Sequence, residues 1–202
     1  MAMVWPAVMA GRINKTLFWQ SDREGFLEQL NREIRLAWIR EEAAGRKLLV
    51  RLNAFSDIPW ERYNVPQSHP DVGFYDYSKV TSRQGALPAN YRICWSWSGN
   101  NGPACIELLE KGDNVAVCFA EIGDGFAGNG ALRQRIPGRY RLPGSSHMWE
   151  TFDGDLSDLR YLDPTATRAG YGRICALRLK SGTTEQRNAV MNDGSGFVQI
   201  LK

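Results

Sequence analysis

YRICWSWSGNNGPACIELLEKGDNVAVCFA, residues 91–120, decides how the rest of the chain is read. Its opening alternates as an extended strand does: Tyr91, Ile93, Trp95 and Trp97 share one face, and Arg92, Cys94, Ser96 and Ser98 share the other. PACIELLEK (103–111) then has helical composition with Gly112 placed to end it, and VAVCFA (115–120) is an apolar run of strand length. Strand, helix and strand in so short a span predict a crossover, and a crossover joins parallel strands. The small, polar face of the first strand suits a barrel interior or a cleft wall, because a parallel strand covered on both sides is apolar on both. The expected fold is therefore α/β with a mostly parallel sheet, a partial or irregular β/α barrel being favoured over a flat doubly wound sheet.

Working outward, Ser21 followed by Glu24 forms a capping box, and Phe26, Leu30, Ile34 and Trp38 recur on one helical face. This predicts a helix from Ser21 to Ala44, with Gly45 as its C′ residue. Further strands are read at 48–52, at VGFYDY (72–77) and at RICALRLK (173–180), while 123–144, rich in glycine and arginine, reads as a long loop. A chain of 202 residues is most simply one domain, here an N-terminal arm over 1–17 and a core over 18–202.

Composition excludes several classes. Hydrophobic residues at 43% and charged residues at 23% are globular proportions, so disorder is not expected. No apolar run reaches the roughly 18 residues of a membrane span, and the start has too short and broken an apolar stretch for a signal peptide, which leaves the cytoplasm as the default. Cys94, Cys105, Cys118 and Cys175 form no C-x-x-C pair, so they are expected to be reduced and buried instead of metal-bound or redox-active. A net charge of +3 permits contact with a polyanion but is weaker than the footprint of a dedicated nucleic-acid binder.

Polar residues gather where the strands end. Arg51, Asn53, Ser56 and Asp57 follow the first strand, Tyr75, Asp76 and Lys79 lie around the second, and Ser96 and Ser98 close the third. Ligands of α/β folds collect at carboxyl ends of parallel strands, so Asp57, Asp76 and Lys79 are the candidate catalytic groups, with Arg51, Asn53, Ser56, Tyr75, Ser96, Ser98 and Arg160 as ligand contacts. The competing reading of Ser56 and Asp57 is that they cap a helix starting near Pro59. Asp153, Asp155 and Asp158 put three carboxylates within six residues, a density that needs a cation, a basic partner or solvent. They are candidate ligands for Mg²⁺ or another divalent cation, although Asp153-Gly154 also reads as a solvated turn, the simpler account, and Arg160 is a nearby neutralising charge.

Weaker patterns remain. Gly123-Asp124-Gly125-Phe126-Ala127-Gly128 fits G-x-G-x-x-G, but no helix of ordinary length follows, so its glycines read as loop flexibility. Arg133, Arg135, Arg139 and Arg141 suit phosphates and equally suit the acidic segment at Asp153. His147 lacks a serine or aspartate frame and reads as structural.

RLNAFSDIPWERY, VGFYDYSKV, LPANYRICWSWSGNN, GDNVAVCFA, DGDLSDLRYLDP and NDGSGFV, in this order, resemble an uncharacterised protein family of bacteriophages, prophages and plasmids. A second similarity links the first three segments to the phage gene product 88 family, whose cysteine-rich tail has no counterpart here. The resemblance implies a mobile-element origin and singles out, beside the residues already named, Trp60, Tyr77, Asp193, Ser195 and Gly196; it implies no activity. Two functions compete. One is a site binding or processing a phosphorylated, nucleotide or nucleic-acid ligand. The other is a non-enzymatic protein that binds and inhibits a host factor through aromatic anchors such as Trp5, Trp19 or Trp149. The first expects Asn53, Asp57, Asp76, Lys79 and Ser96 in one pocket.

Overall fold

Two helices open the chain, α1 over Pro6–Ser21 and α2 over Arg23–Ala43. In this computed structural model, which describes residues 6–54, 56–83, 85 and 87–201, much of the stretch read as an arm is thus helical. Asp22, one residue beyond the expected cap, breaks the two helices apart: its side chain accepts from the Gly25 amide, leaving Ser21 as the last residue of α1. The far end is as read. Gly45 has φ +67, its amide donates to the Glu42 carbonyl, and the Arg46 amide donates to that of Glu41, the paired bonds of a Schellman cap.

The chain contacts fall into two units, Met1–Tyr75 with Arg83–Arg92, and Asp76–Ser82 with Ile93–Lys202. In the first, Ile34 is the buried residue of α2, and Trp19 meets Phe26, Trp60 and Tyr63 edge to face at 5.2–5.3 Å. Strand β1, Leu49–Val50, pairs in parallel with the start of β2, Gly73–Ser78. Both β2 and β3, Tyr91–Ser96, begin in this unit and end in the other.

The second unit is organised by β4, Val115–Glu121. Helix α3, Gly102–Glu110, carries the chain from β3 to β4, which it joins in parallel, as the crossover reading requires. Strands β5 (Arg139–Tyr140), β6 (Trp149–Asp153) and β7 (Ile174–Arg178) follow, then α4 (Thr184–Met191) and β8 (Val198–Leu201). On one side β4 pairs with β7; it also pairs with β3 at Val115 and Ala116 and with β8 from Cys118 to Glu121. β8 therefore takes over β4 where β3 leaves it. The departure is built by Gly99, whose φ of +90 turns the chain and whose missing Cβ leaves room for the Ser195 carbonyl, and the Trp97 indole donates to the Gly196 carbonyl at 2.8 Å. Val117, Phe119 and Ile174 are 1% exposed or less, and burying each contributes about 1.5–3 kcal/mol.

The order β1-β2-β3-β4-β7-β6-β5, parallel in every pairing described except β5 with β6, gives the mostly parallel sheet expected, open at both ends and not closed into a barrel. The polar face of β3 that suggested a barrel interior is instead covered locally. Cys94 packs with Ala116 and Cys175 beneath Tyr77, Phe152 and Leu177. No helix among the described residues is long and apolar enough to cross a membrane.

Candidate functional site

Strands β3, β4, β6, β7 and β8 are parallel, so their carboxyl ends share one edge of the second unit. At that edge Arg178 grips Asp153 with two bonds, 2.7 Å from Nη1 and 2.8 Å from Nη2, and reaches Asp155 at 3.2 Å. The Arg178 amide also donates to Asp155 at 2.9 Å, and Lys180 pairs with the same carboxylate at 2.8 Å. The charge that relieves this acidic segment therefore comes from β7, not from the 133–141 arginines, of which Arg135 pairs with Glu121 and Arg139 faces Glu150 at 4.0 Å. The Arg178 hydrogen bonds hold Asp153 below the ordinary carboxylate range, overcoming the opposing effect of burial. A carboxylate so held is ionised at neutral pH and orients charge; it is a poor proton donor.

Arg187 of α4, 1% exposed, braces the edge from inside: it donates to the carbonyls of Glu121 and Leu179 and to Gln134 Oε1. Burial pulls its pKa down, with Cys118 and Glu121 acting the other way. Above it the glycine loop is built of two 3-10 turns, Asp124–Phe126 and Gly128–Arg133. Gly130 leaves space for the Gly125 carbonyl, which any Cβ would strike. At the ends of β2 and β3, Lys79 lies 4.8 Å over the Phe197 ring, the Ser98 hydroxyl donates to Asn100, and the Asn101 amide donates to the Ser96 carbonyl. Asp76 is fully buried within β2 instead of standing at its end, and Tyr75 is buried beside it.

Cys94, Asp163 and Cys175 bring their ligand atoms within 4.8 Å of one another, the sole such cluster among the described residues. Asp153, Asp155 and Asp158 do not form one. Arg160 occupies the middle of the cysteine cluster: its Nη1 lies 2.6 Å from Cys175 Sγ and 3.3 Å from Asp163, while Nη2 donates to the carbonyls of Gly154 and Ser157. Contact with Cys175 and burial both raise the pKa of Cys94 and keep its thiol protonated. A fixed cation in contact with Cys175 and a protonated Cys94 thiol make a poor metal site, and the cluster reads as the polar staple that ties the turn after β6 to β7. Among the described residues all four cysteines are free thiols.

In the first unit, Asn53 Oδ1 receives three donors, Ser56 Oγ at 2.7 Å, the Ile58 amide at 3.1 Å and Trp60 Nε1 at 2.9 Å. Ser56 and Asp57 cap no helix, because the 3-10 turn Trp60–Tyr63 starts from Pro59 without a side-chain cap. Asp57 instead accepts from Arg83 at 3.0 Å, which also holds Glu61 through two bonds, 2.9 and 2.7 Å, and meets the Tyr91 hydroxyl at 3.1 Å. Arg51, half-buried, lies just past β1. Asn53 and Asp57 thus belong to the first unit, and Asp76, Lys79 and Ser96 to the second.

Sequence reasoning missed Arg83, Glu61, Arg178, Lys180 and Arg187. Two of them carried a signal: Arg178 and Lys180 are two residues apart at a strand end, hence on one face beside whatever that end approaches. The other three have no local pattern.

An open α/β protein with a charged carboxyl edge is the class these features define. The family model described as Gene product 88 matches residues 1–190, and the chain belongs to that family. The similarity of the first three segments therefore extends over nearly the whole chain, and the protein is a mobile-element protein of phage type. Comparison with curated proteins and with solved structures gave no match.

Proposed function

We propose that this protein binds a phosphate-bearing ligand at the carboxyl edge of its second unit, with Lys180 and Arg178 as the cations that meet the phosphate. The supporting observation is the asymmetry of the cluster: the Lys180 side chain is 63% exposed while its partner Asp155 is 4% exposed, so the ammonium stands at the rim on a fixed, buried anchor. Ligands of parallel α/β sheets favour this edge. Ionised Asp153, with Asp155 paired to the same cations, orients them, which makes the reading one of binding, with no proton-donating step. Calorimetry with inorganic phosphate, nucleotides and Mg²⁺ tests it. Lys180→Ala should weaken phosphate or nucleotide binding about tenfold, the worth of one charge-assisted contact, while stability changes by less than about 1 kcal/mol. Unchanged affinity overturns the reading. A response to Mg²⁺ that Asp155→Asn abolishes would assign the acidic pair to a cation.

Inhibition of a host protein has a different observation behind it. Met9, Ile13 and Leu17 follow one another at four-residue intervals on α1 and are 42–56% exposed. Of the aromatic anchors expected, Trp149 is 1% exposed, Trp19 is packed among Phe26, Trp60 and Tyr63, and Trp5 lies outside the described residues. On this reading Ile13→Glu with Leu17→Glu abolishes recovery of a single stoichiometric host protein without loss of helicity.

A further inference from the structure

The opposite edge of the second unit carries a cleft of about 710 Å³ where β6 and β7 begin. Its wall is aromatic. His147 lies 4.4 Å from the Trp149 ring and 4.9 Å from that of Tyr171, and Trp149 and Tyr171 meet edge to face at 5.8 Å and 88°. Its rim is cationic, with Arg139, Arg168 and Arg173 against a single carboxylate, Glu150, which pairs with Arg173 at 3.1 Å. Arg168 is exposed and has no hydrogen bond or ion pair among the described residues.

We infer that this cleft binds a nucleoside phosphate, its base on the His147 and Tyr171 rings and its phosphate on Arg168. Two features converge on that class. The volume suits a small ligand with a planar ring and falls in the roughly 300–1,000 Å³ range of such sites. Rings beside arginines match a ligand that is flat at one end and anionic at the other, because bases stack on aromatic faces and guanidinium groups fork onto phosphate oxygens. The carboxyl edge differs: its cations Arg178 and Lys180 are paired with Asp153 and Asp155.

The cleft is preformed. The Thr167 amide donates to the Tyr171 carbonyl at 2.7 Å and the Tyr171 amide to Thr167 Oγ1 at 3.2 Å, closing the loop that carries Arg168 at its tip. Gly172, where a Cβ would strike the Asp113 carbonyl, donates to Leu109 at 2.7 Å and fastens that loop to the end of α3. Little ordering is left for a ligand to impose.

The test is titration of the full chain with AMP, GMP, CMP and UMP, with inorganic phosphate, and with a single-stranded hexanucleotide, read by calorimetry and by tryptophan fluorescence. At least one nucleoside phosphate should bind about tenfold or more tightly than inorganic phosphate, since stacking adds to the phosphate contact. Arg168→Ala should weaken it about tenfold and Tyr171→Leu likewise. Tyr171→Phe, which keeps the ring, should bind as the wild type does, so that a loss in Tyr171→Leu with retained binding in Tyr171→Phe reports stacking and not misfolding. Tighter binding of the hexanucleotide than of any mononucleotide would identify a nucleic-acid end as the source of the ligand, and the reverse a free nucleotide. Absence of binding by every nucleoside phosphate and by the hexanucleotide overturns the inference. So does binding that follows Lys180→Ala and ignores Arg168→Ala, a result that would leave the carboxyl-edge reading standing.

Discussion

Arg83 in the first unit and Arg178 in the second perform the same elementary task, one guanidinium holding two carboxylates, in different surroundings. The Arg83 side chain is 1% exposed and its main partner Glu61 4%. Arg178 is 12% exposed, Asp153 is 22% exposed, and Lys180 supplies a second cation to the pair. Out of water, every bond that Arg83 lacks would be a loss, and its donors are spent on both oxygens of Glu61, on Asp57 and on Tyr91. Burial pulls the Arg83 pKa down, and the hydrogen bonds it donates to Glu61 and Tyr91 more than reverse it. The buried cluster is committed to holding its loop in place. The open one keeps a charged rim, which is what a binding site needs.

This contrast predicts unequal costs. Arg83→Met strips the buried Glu61 of its ionic partner and should destabilise the protein by about 3–5 kcal/mol in urea unfolding. A loss below about 1 kcal/mol would show the two arginines to be equivalent and break the comparison. Arg178→Met should cost about 1–3 kcal/mol, because Asp153 can turn to solvent and Asp155 keeps Lys180.

The smallest effect sharpens the comparison through pH. Asp153 has a folded-state pKa below its unfolded one, so its contribution is fully present above about pH 4 and fades as pH falls below that, through the folded pKa. The stability difference between wild type and Asp153→Asn should therefore be constant near neutral pH and shrink on acidification from about pH 4. A difference that grows on acidification would reverse the sign and refute the ionised pair.

Legibility followed local pattern. The core face of α2, the crossover β3-α3-β4 and strand β7 were readable because their apolar residues repeat at helical or strand spacing, or run unbroken. Helix α1 was not, since PAVMAGRINKTLFWQS buries no residue and sets Gly11 in its middle. Helix α4 had a signal that went unread: Thr183 accepts from the Gln186 amide as a cap, but an eight-residue helix whose one buried side chain is an arginine shows no apolar stripe. β6 and β8 are too short to alternate convincingly. Of the candidate site, the acidic turn at Asp153 and Asp155 was visible as a charge density that demanded a counter-ion, whereas the identity of that counter-ion was not.

By itself the sequence determined the class of fold, the parallel crossover, the helix stop at Gly45 and the strand ends at which polar residues gather. Each of these is set by residues within one or two turns or strands of one another. Only the tertiary structure decided that the sheet stays open, that β8 replaces β3 along β4 at Gly99 and Ser195, that Arg178 and not Arg160 neutralises Asp153, and that His147, Trp149 and Tyr171 share one wall. Those outcomes depend on pairs separated by tens of residues, and the energy that selects a partner lies in burial and in the geometry of charge, which no local spacing encodes.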